Sequence, residues 1–266
     1  MTGVRIALTV AFLLPSPAQA DEHRVYLRGG VVHVMPFSDS SELELSGVDG
    51  PASLALRDGP VEGSGTTVDP MTTPGLIIGV RTPALGDRLA LETVVAPPLR
   101  LHFQATGTLA DQSIAPDALG IPTGVPALGP ELGEAKGAPV ILIANVRLPG
   151  SEALQPHVGL GATVLLSYDA QITNPTLTEM GQPRLHIDPA PGLIAQAGLD
   201  ARIWRRLRGR IDVMYVAFMT ARATVEDLRV RTPRLPLFEA VEVGKATMEV
   251  AVNPLIVQLG IGADFW

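Results

Sequence analysis

In "LIAQAGLDARI", residues 193–203, Leu193, Ala195, Ala197, Leu199, Ala201 and Ile203 share one parity, and Gln196, Gly198, Asp200 and Arg202 share the other. A period of two with one apolar face is the pattern of a β-strand. It recurs in "PLIVQLGIGADF", where Leu255, Val257, Leu259, Ile261, Ala263 and Phe265 form the apolar set, and in "HVGLGATVLLSY", where Val158, Leu160, Ala162, Val164, Leu166 and Tyr168 do. Eight such segments are expected, over 24–37, 73–82, 88–97, 139–148, 156–168, 192–203, 207–220 and 254–265. Beyond the first twenty residues the apolar runs are short: "VILIA", 140–144, and the longest, "VMYVAFM", 213–219. A helix across a bilayer needs about twenty apolar residues, so strands are what this chain has to build with.

The connections alternate in length. "PALGD", "PGSEA" and "WRRL" are short, whereas the stretches 38–72, 98–138, 169–191 and 221–253 are long and hold most of the Pro, Gly and acidic residues. Short turns at one end and long loops at the other are the habit of a small outer-membrane barrel. A soluble barrel of the lipocalin kind also alternates, but its apolar set points inward. Here the set opposite the apolar one carries Arg, Asp, Glu and Gln on strand after strand, as expected of a lumen with the apolar set facing lipid. The expected fold is therefore all-β: an eight-stranded antiparallel transmembrane β-barrel with short periplasmic turns and long extracellular loops.

The first twenty residues, "MTGVRIALTVAFLLPSPAQA", combine Arg5, an apolar run from Ile6 to Leu14, Pro15 and a small-x-small end at Ala18 and Ala20. They read as a secretory signal peptide, 1–20, with the barrel in 21–266. Removing Arg5 turns 20 basic residues into 19 against 27 acidic, so the charge moves from −7 to −8. An acidic chain is a poor match for nucleic acid, and an exported chain with no cysteine has neither disulfides nor thiol chemistry.

Five stretches, in order, carry a family resemblance: "LRGGVVHVMP", "GLIIGVRTPALGDRLALETVVAPPLRLHF", "PHVGLGATVLLSY", "GLIAQAGLDARIW" and "NPLIVQLGIGADFW". The chain resembles the OmpW family of outer-membrane proteins, which includes the AlkL-type hydrocarbon uptake proteins. Aromatic residues are few for that family, and the family's terminal aromatic corresponds to Phe265, with Trp266 an extra residue. The resemblance implies an eight-stranded barrel in the outer membrane of a Gram-negative bacterium, with a narrow apolar channel for small hydrophobic molecules. It also implies that Phe265 and Trp266 close the ring as the aromatic signal read by the barrel-assembly machinery. Outer-membrane lipid, lipopolysaccharide and a small hydrophobic ligand complete the expected partners.

With both termini in the periplasm, each inward residue acquires a depth. Near the periplasmic end fall Arg28, Arg81, Arg88, Glu92, Arg147, His157, Asp200, Arg202, Arg208, Arg210, Asp212 and Asp264. An eight-stranded interior is barely wide enough for its own side chains, so this ring is expected to be a salt-bridged plug, resting chiefly on Arg28, Arg81, Glu92, Arg147, Asp200, Arg202, Arg210, Asp212 and Asp264. Further out the same face becomes apolar, and a ligand channel is expected along Val34, Ile77, Val94, Ile143, Leu165, Ile194, Met214, Phe218 and Ile256. A molecule stopped by the plug has to leave sideways. Proline cannot donate to a ladder, so Pro97 and Pro98, ending the third strand, and Pro139, beginning the fourth, mark a candidate lateral seam. The plainer alternative is that these prolines simply end strands. "LRLHF", 99–103, either leans over the mouth or extends the third strand.

Other chemistry finds little support. His23, His33, His102, His157 and His186 lack zinc-helix spacing, and no metal or cofactor is expected. No G-x-S-x-G elbow or Walker loop occurs, and "GIGADF" and "GLGATV" are incomplete dinucleotide fingerprints. The acidic first loop (Asp39, Glu42, Glu44, Asp49, Asp58, Glu62, Asp69) either binds cations or is solvated charge. The leading expectation is passive uptake of small hydrophobic molecules with lateral release and no enzymatic activity. The main rival is a structural or surface-interaction barrel with a packed lumen.

Overall fold

The structure is a computed structural model that describes residues 25–86, 88–204, 207–234 and 240–265. The expected signal peptide, its cleavage site and Trp266 lie outside the described residues.

Eight barrel strands appear in chain order: β1 Val25–Met35, β2 Met71–Arg81, β3 Leu89–Val95, β4 Glu131–Arg147, β5 Leu154–Ile172, β6 Ala190–Trp204, β7 Leu207–Ala217 and β8 Leu255–Phe265. Each pairs antiparallel with its neighbour, and β8 pairs with β1 from Val25↔Phe265 to Met35↔Leu255, which closes the ring. The closure depends on a glycine: a Cβ on Gly262 would lie 1.8 Å from the Leu27 carbonyl oxygen.

Parity decides what faces lipid. Leu142, Leu160, Leu193, Leu259 and Ile261 are among the most exposed large apolar residues, and all are on the outward parity. Such a belt would be an aggregation surface in water and is the normal surface of a membrane barrel. The inward set is buried, from Arg28 and Ile77 to Met214 and Gln258.

The structure departs from the sequence reading in four places. First, β4 does not begin at Pro139: it starts at Glu131 and passes through the proline, pairing Pro139 with Leu165 of β5. Second, β3 ends at Val95, just before Pro97 and Pro98 as expected, but the chain beyond them is not a loop: it forms a further strand, Leu99–Gly107, which pairs with Glu131 to Gly137 of β4 and with Ser64–Val68. "LRLHF" therefore extends the third strand. Third, 221–253 is not an open loop. It holds the strands Thr220–Arg231 and Ala240–Val252, a long hairpin that continues the barrel wall outward. Its alternation is concealed because bulges between Val225 and Arg229, opposite Gly244 (φ +83°), switch the inner parity from 241 and 243 to 246 and 248. Fourth, Phe218 is not in the channel: with φ +62° it turns out of the wall, 79% exposed, and Met219 takes the inward place.

Strands β4 and β5, at 17 and 19 residues, are far longer than the roughly ten a bilayer needs. Their outer halves, the hairpin and the first two loops enclose an extracellular apolar core that includes Leu45, Ala52, Leu109, Leu128, Leu177 and Val243. Asn174, fully buried, ties it together. Its side chain caps the short helix Pro175–Thr178 through the Thr176 and Leu177 amides and donates to the Leu128 and Glu131 carbonyls.

Candidate functional site

The lumen is layered. At the periplasmic end, inward parity on six strands brings four guanidinium groups and four carboxylates together. Arg210 donates to both oxygens of Glu92, each at 2.8 Å, and to Asp212 at 2.6 Å. The Tyr26 hydroxyl donates to Glu92 as well. His157 Nε2 lies 2.7 Å from Asp212, and its Nδ1 lies 3.8 Å from Asp200. Asp200 meets Arg28 Nε at 3.4 Å, and Arg28 reaches Asp264 at 2.5 Å. Asp264 also takes Arg81 at 3.1 Å and Arg208 at 3.4 Å. Arg28, Arg81, Arg208 and Arg210 thus balance Glu92, Asp200, Asp212 and Asp264, so the buried cluster carries no net charge when His157 is neutral. That balance matters because an unpaired charge in so dry a space is costly. Arg28 and Arg81 also lie 5.1 and 5.2 Å from the centre of the Tyr26 ring. The ring fits because Gly79 is beneath it, where a Cβ would sit 2.1 Å from the ring carbon.

Two expected members stand apart. Arg202 is exposed and pairs with Glu152 of a periplasmic turn at 2.8 Å. Arg147 has the inward parity but is half-buried at the rim, where its backbone amide bonds the Arg88 carbonyl. Both lie at strand ends, where parity no longer fixes direction.

Above the ions lies a layer of carboxamides that the sequence reading did not single out. Asn145 donates to Gln196 at 3.3 Å, and Gln196 donates to Asp212 at 2.8 Å. Gln258 is 1% exposed, with neither amide atom partnered among the described residues. Tyr26, too, was missed as a cluster member. Its inward parity was the available signal, but an aromatic ring reads as apolar filling.

The apolar layer follows. A cavity of ≈ 80 Å³ is lined by Val34, Val94, Leu165, Met214 and Ile256 of the expected channel. Ile143 and Ile194 are buried in the same cluster without lining it, whereas Ile77 packs lower, against Tyr26 and Ala90 at the level of Arg28. Val68, Leu101, Leu165 and Val252 are shared with a second cavity of ≈ 140 Å³, an outer vestibule walled by the extended strands and the hairpin. Ala96, Leu99, Pro139 and Ile141 carry the lower cavity to the wall. There the ladder between the third and fourth strands is interrupted: it runs up to Glu92↔Ile143 and restarts at Leu99↔Gly137. Among the described residues no register pair joins 93–98 to 138–142, although the Thr93 hydroxyl donates to the Ile141 carbonyl at 2.7 Å. Pro97, Pro98 and Pro139 all fall at this interruption.

In the acidic first loop, carboxylates serve separate local bonds. Glu42 accepts from the Gly63 amide, Asp58 from the Val48 amide and Asp69 from Gln104. No cluster of three or more metal-ligating side chains occurs among the described residues.

The model of the OmpW family matches residues 24–265. The chain belongs to the OmpW family. OmpW-family members are channel- or transport-type outer-membrane proteins, and this one is a barrel of the Gram-negative outer membrane, in contact with its lipid. The crystal structure of OprG from Pseudomonas aeruginosa is similar, with a TM-score of 0.67 at 21% identity over 91% of this chain and 95% of that one. That likeness speaks for the fold of this OmpW-family chain. AlkL in lipid bilayers matches with a TM-score of 0.47 at 20% identity, covering 90% of each chain. The E. coli outer membrane protein W matches at 0.46 and 16%, covering 91% of this chain and 97% of that one. Among curated proteins none matches the sequence at a significant level.

Proposed function

We propose that this OmpW-family barrel admits small hydrophobic molecules passively from outside and releases them sideways into the membrane between its third and fourth strands. The observation that carries the reading is the continuity of apolar surface. It runs from the vestibule through Leu165 and Val252 into the lower cavity, and from there through Ala96 and Ile141 to the interrupted ladder. Apolar walls favour an apolar solute over ions and sugars. The charge-balanced cluster beneath acts as a floor: a solute continuing downward would have to break several buried ion pairs at once. Departure through a stretch of wall with no ladder pairs breaks far fewer hydrogen bonds. These voids count against a lumen that is merely packed. In this reading Phe265, with Trp266 after it, serves recognition by the assembly machinery.

Cross-linking tests it. The chain has no cysteine, so cysteines at Val95 and Val140, both outward and exposed on either side of the interruption, can be joined by a short reducible linker. Uptake of a hydrophobic tracer by cells should fall to the level of a strain lacking the protein and recover on reduction. Unchanged uptake with the linker in place would overturn lateral release.

A further inference from the structure

A further cavity, of ≈ 340 Å³, lies at the extracellular tip, and the transport reading leaves it without a role. It is set between the short helix Gly50–Leu54, the small hairpin Asp117–Ala118 with Ile121–Pro122, and the outer end of the long hairpin at Val230 and Val243. Its size suits a small-molecule site, and its lining is apolar apart from Thr123, Thr232 and Arg234. Ile114 is the side chain it shares with the vestibule.

Two features go beyond mere apolarity. Leu119 and Gly120 form the two-residue turn between the paired Ala118 and Ile121, with φ of +54° and +80°. Such a turn suits Asn, Asp or Gly; a leucine there is sterically penalised. The Leu119 side chain is also 78% exposed, so folding recovers nothing from it, and the neighbouring Leu54 and Ile121 are exposed too. Phe218 and Leu85 also carry exposed apolar side chains on left-handed backbone, Leu85 in the short turn between β2 and β3 with Gly86 after it, but neither lines one of these cavities, whereas Leu119 lines this one. The cavity's Val230 lies ten residues beyond Thr220, roughly 33 Å along the strand and about 25 Å in height at the usual tilt of about 40°, so bilayer hydrocarbon does not cover Leu119. The second feature is Arg234. Its amide donates to the Thr123 carbonyl at 3.0 Å, and its aliphatic stem lies over Gly124, where a Cβ would come 2.9 Å from Cγ. This anchors the guanidinium at the cavity rim, exposed and without an ion pair to another described residue.

We infer that the tip cavity is a binding site for a free anionic single-chain amphiphile of the fatty-acid class, with its chain among Leu54, Leu119 and Ile121 and its carboxylate on Arg234. Membrane lipids keep their chains in the bilayer far below, so the occupant comes from the medium. The site does not require the lumen to conduct.

Photo-crosslinking of the full chain in lipid nanodiscs tests this, using dodecanoic acid bearing a chain-end diazirine, the matching alcohol as a neutral control, and peptide mapping. The acid should label 50–56 and 114–125 more than the alcohol does. Leu119→Asn, which suits the turn, and Arg234→Gln should each reduce that labelling about fivefold or more, with the heat-modifiable gel mobility of the barrel unchanged. Equal labelling in the variants, equal labelling by acid and alcohol, or labelling confined to the lumen would overturn the tip site. Labelling at the tip with none in the lumen would support it and count against the transport reading.

Discussion

At the scale of single residues, the lumen holds two kinds of buried polar group, and they should respond oppositely to removal. Arg210 neutralises Glu92 and Asp212 at once. Arg210→Met would leave buried Glu92 and Asp212 without a guanidinium, held only by Tyr26, His157 and Gln196, and the expected loss is about 3–5 kcal/mol, read as a lower urea midpoint in lipid or detergent. Gln258 has no partner for either amide atom among the described residues. Gln258→Leu should therefore raise stability by about 1–3 kcal/mol, read as a higher midpoint; a lower midpoint would mean that the amide has a partner. Gly262→Ala places a methyl group against the Leu27 carbonyl, so the variant should fail to close β8 on β1, seen as loss of the heat-modifiable band. Inward parity identified most members of the ion cluster in the sequence, Arg28, Glu92, Asp200 and Arg210 among them. It misjudged Arg202 and Arg147, which lie near the strand ends outside the cluster, and Phe218, where a single left-handed residue reverses the face.

Among the elements, the long hairpin Thr220–Arg231 with Ala240–Val252 is what makes the vestibule, through Ala221, Val225, Leu228, Met248 and Val250. Replacing 224–247 by a short turn should leave the barrel folded while lowering tracer uptake. Retained uptake would mean that solutes reach the lower cavity without the vestibule. The hairpin's exposed face carries ion pairs, Lys245 to Glu226 at 2.7 Å and Arg222 to Glu249 at 2.5 Å. The hydrogen bond from Lys245, followed by its charge, holds the Glu226 carboxyl below its usual range. A carboxyl lowered in the folded state contributes stability above its unfolded pKa and loses it as pH falls through the folded one. Pepsin cleavage of the hairpin should therefore rise on acidification below about pH 4, by a small factor because the pair is exposed, and Lys245→Met should remove that rise. The hairpin was illegible as strand because its bulges break a period of two into pieces of opposite phase. The interruption of the ladder between the third and fourth strands was only half legible: the prolines signalled it, but not that pairing resumes beyond it through Leu99–Gly107.

Across the whole molecule, the proposed function requires the paired ions at the periplasmic end of the eight-stranded barrel to act as a floor that blocks an aqueous path. Planar bilayers containing the protein should show little steady conductance; a large stable pore would contradict the floor. Deleting Trp266 should leave insertion intact, and removing Phe265 as well should impair it, since Phe265 pairs with Val25 at the point of closure. The strand pattern, the lipid-facing side of each strand and the sorting of charge toward one end are legible in the amino-acid order, because all of these follow from the alternation of residues along each strand. That Glu92 meets Arg210, 118 residues away, that Arg28 and Arg81 flank the Tyr26 ring, and that the ladder is interrupted between 93–98 and 138–142 emerge with the folded barrel alone. Those are properties of register around a closed ring and of bulges that shift it, and a local period carries no information about either.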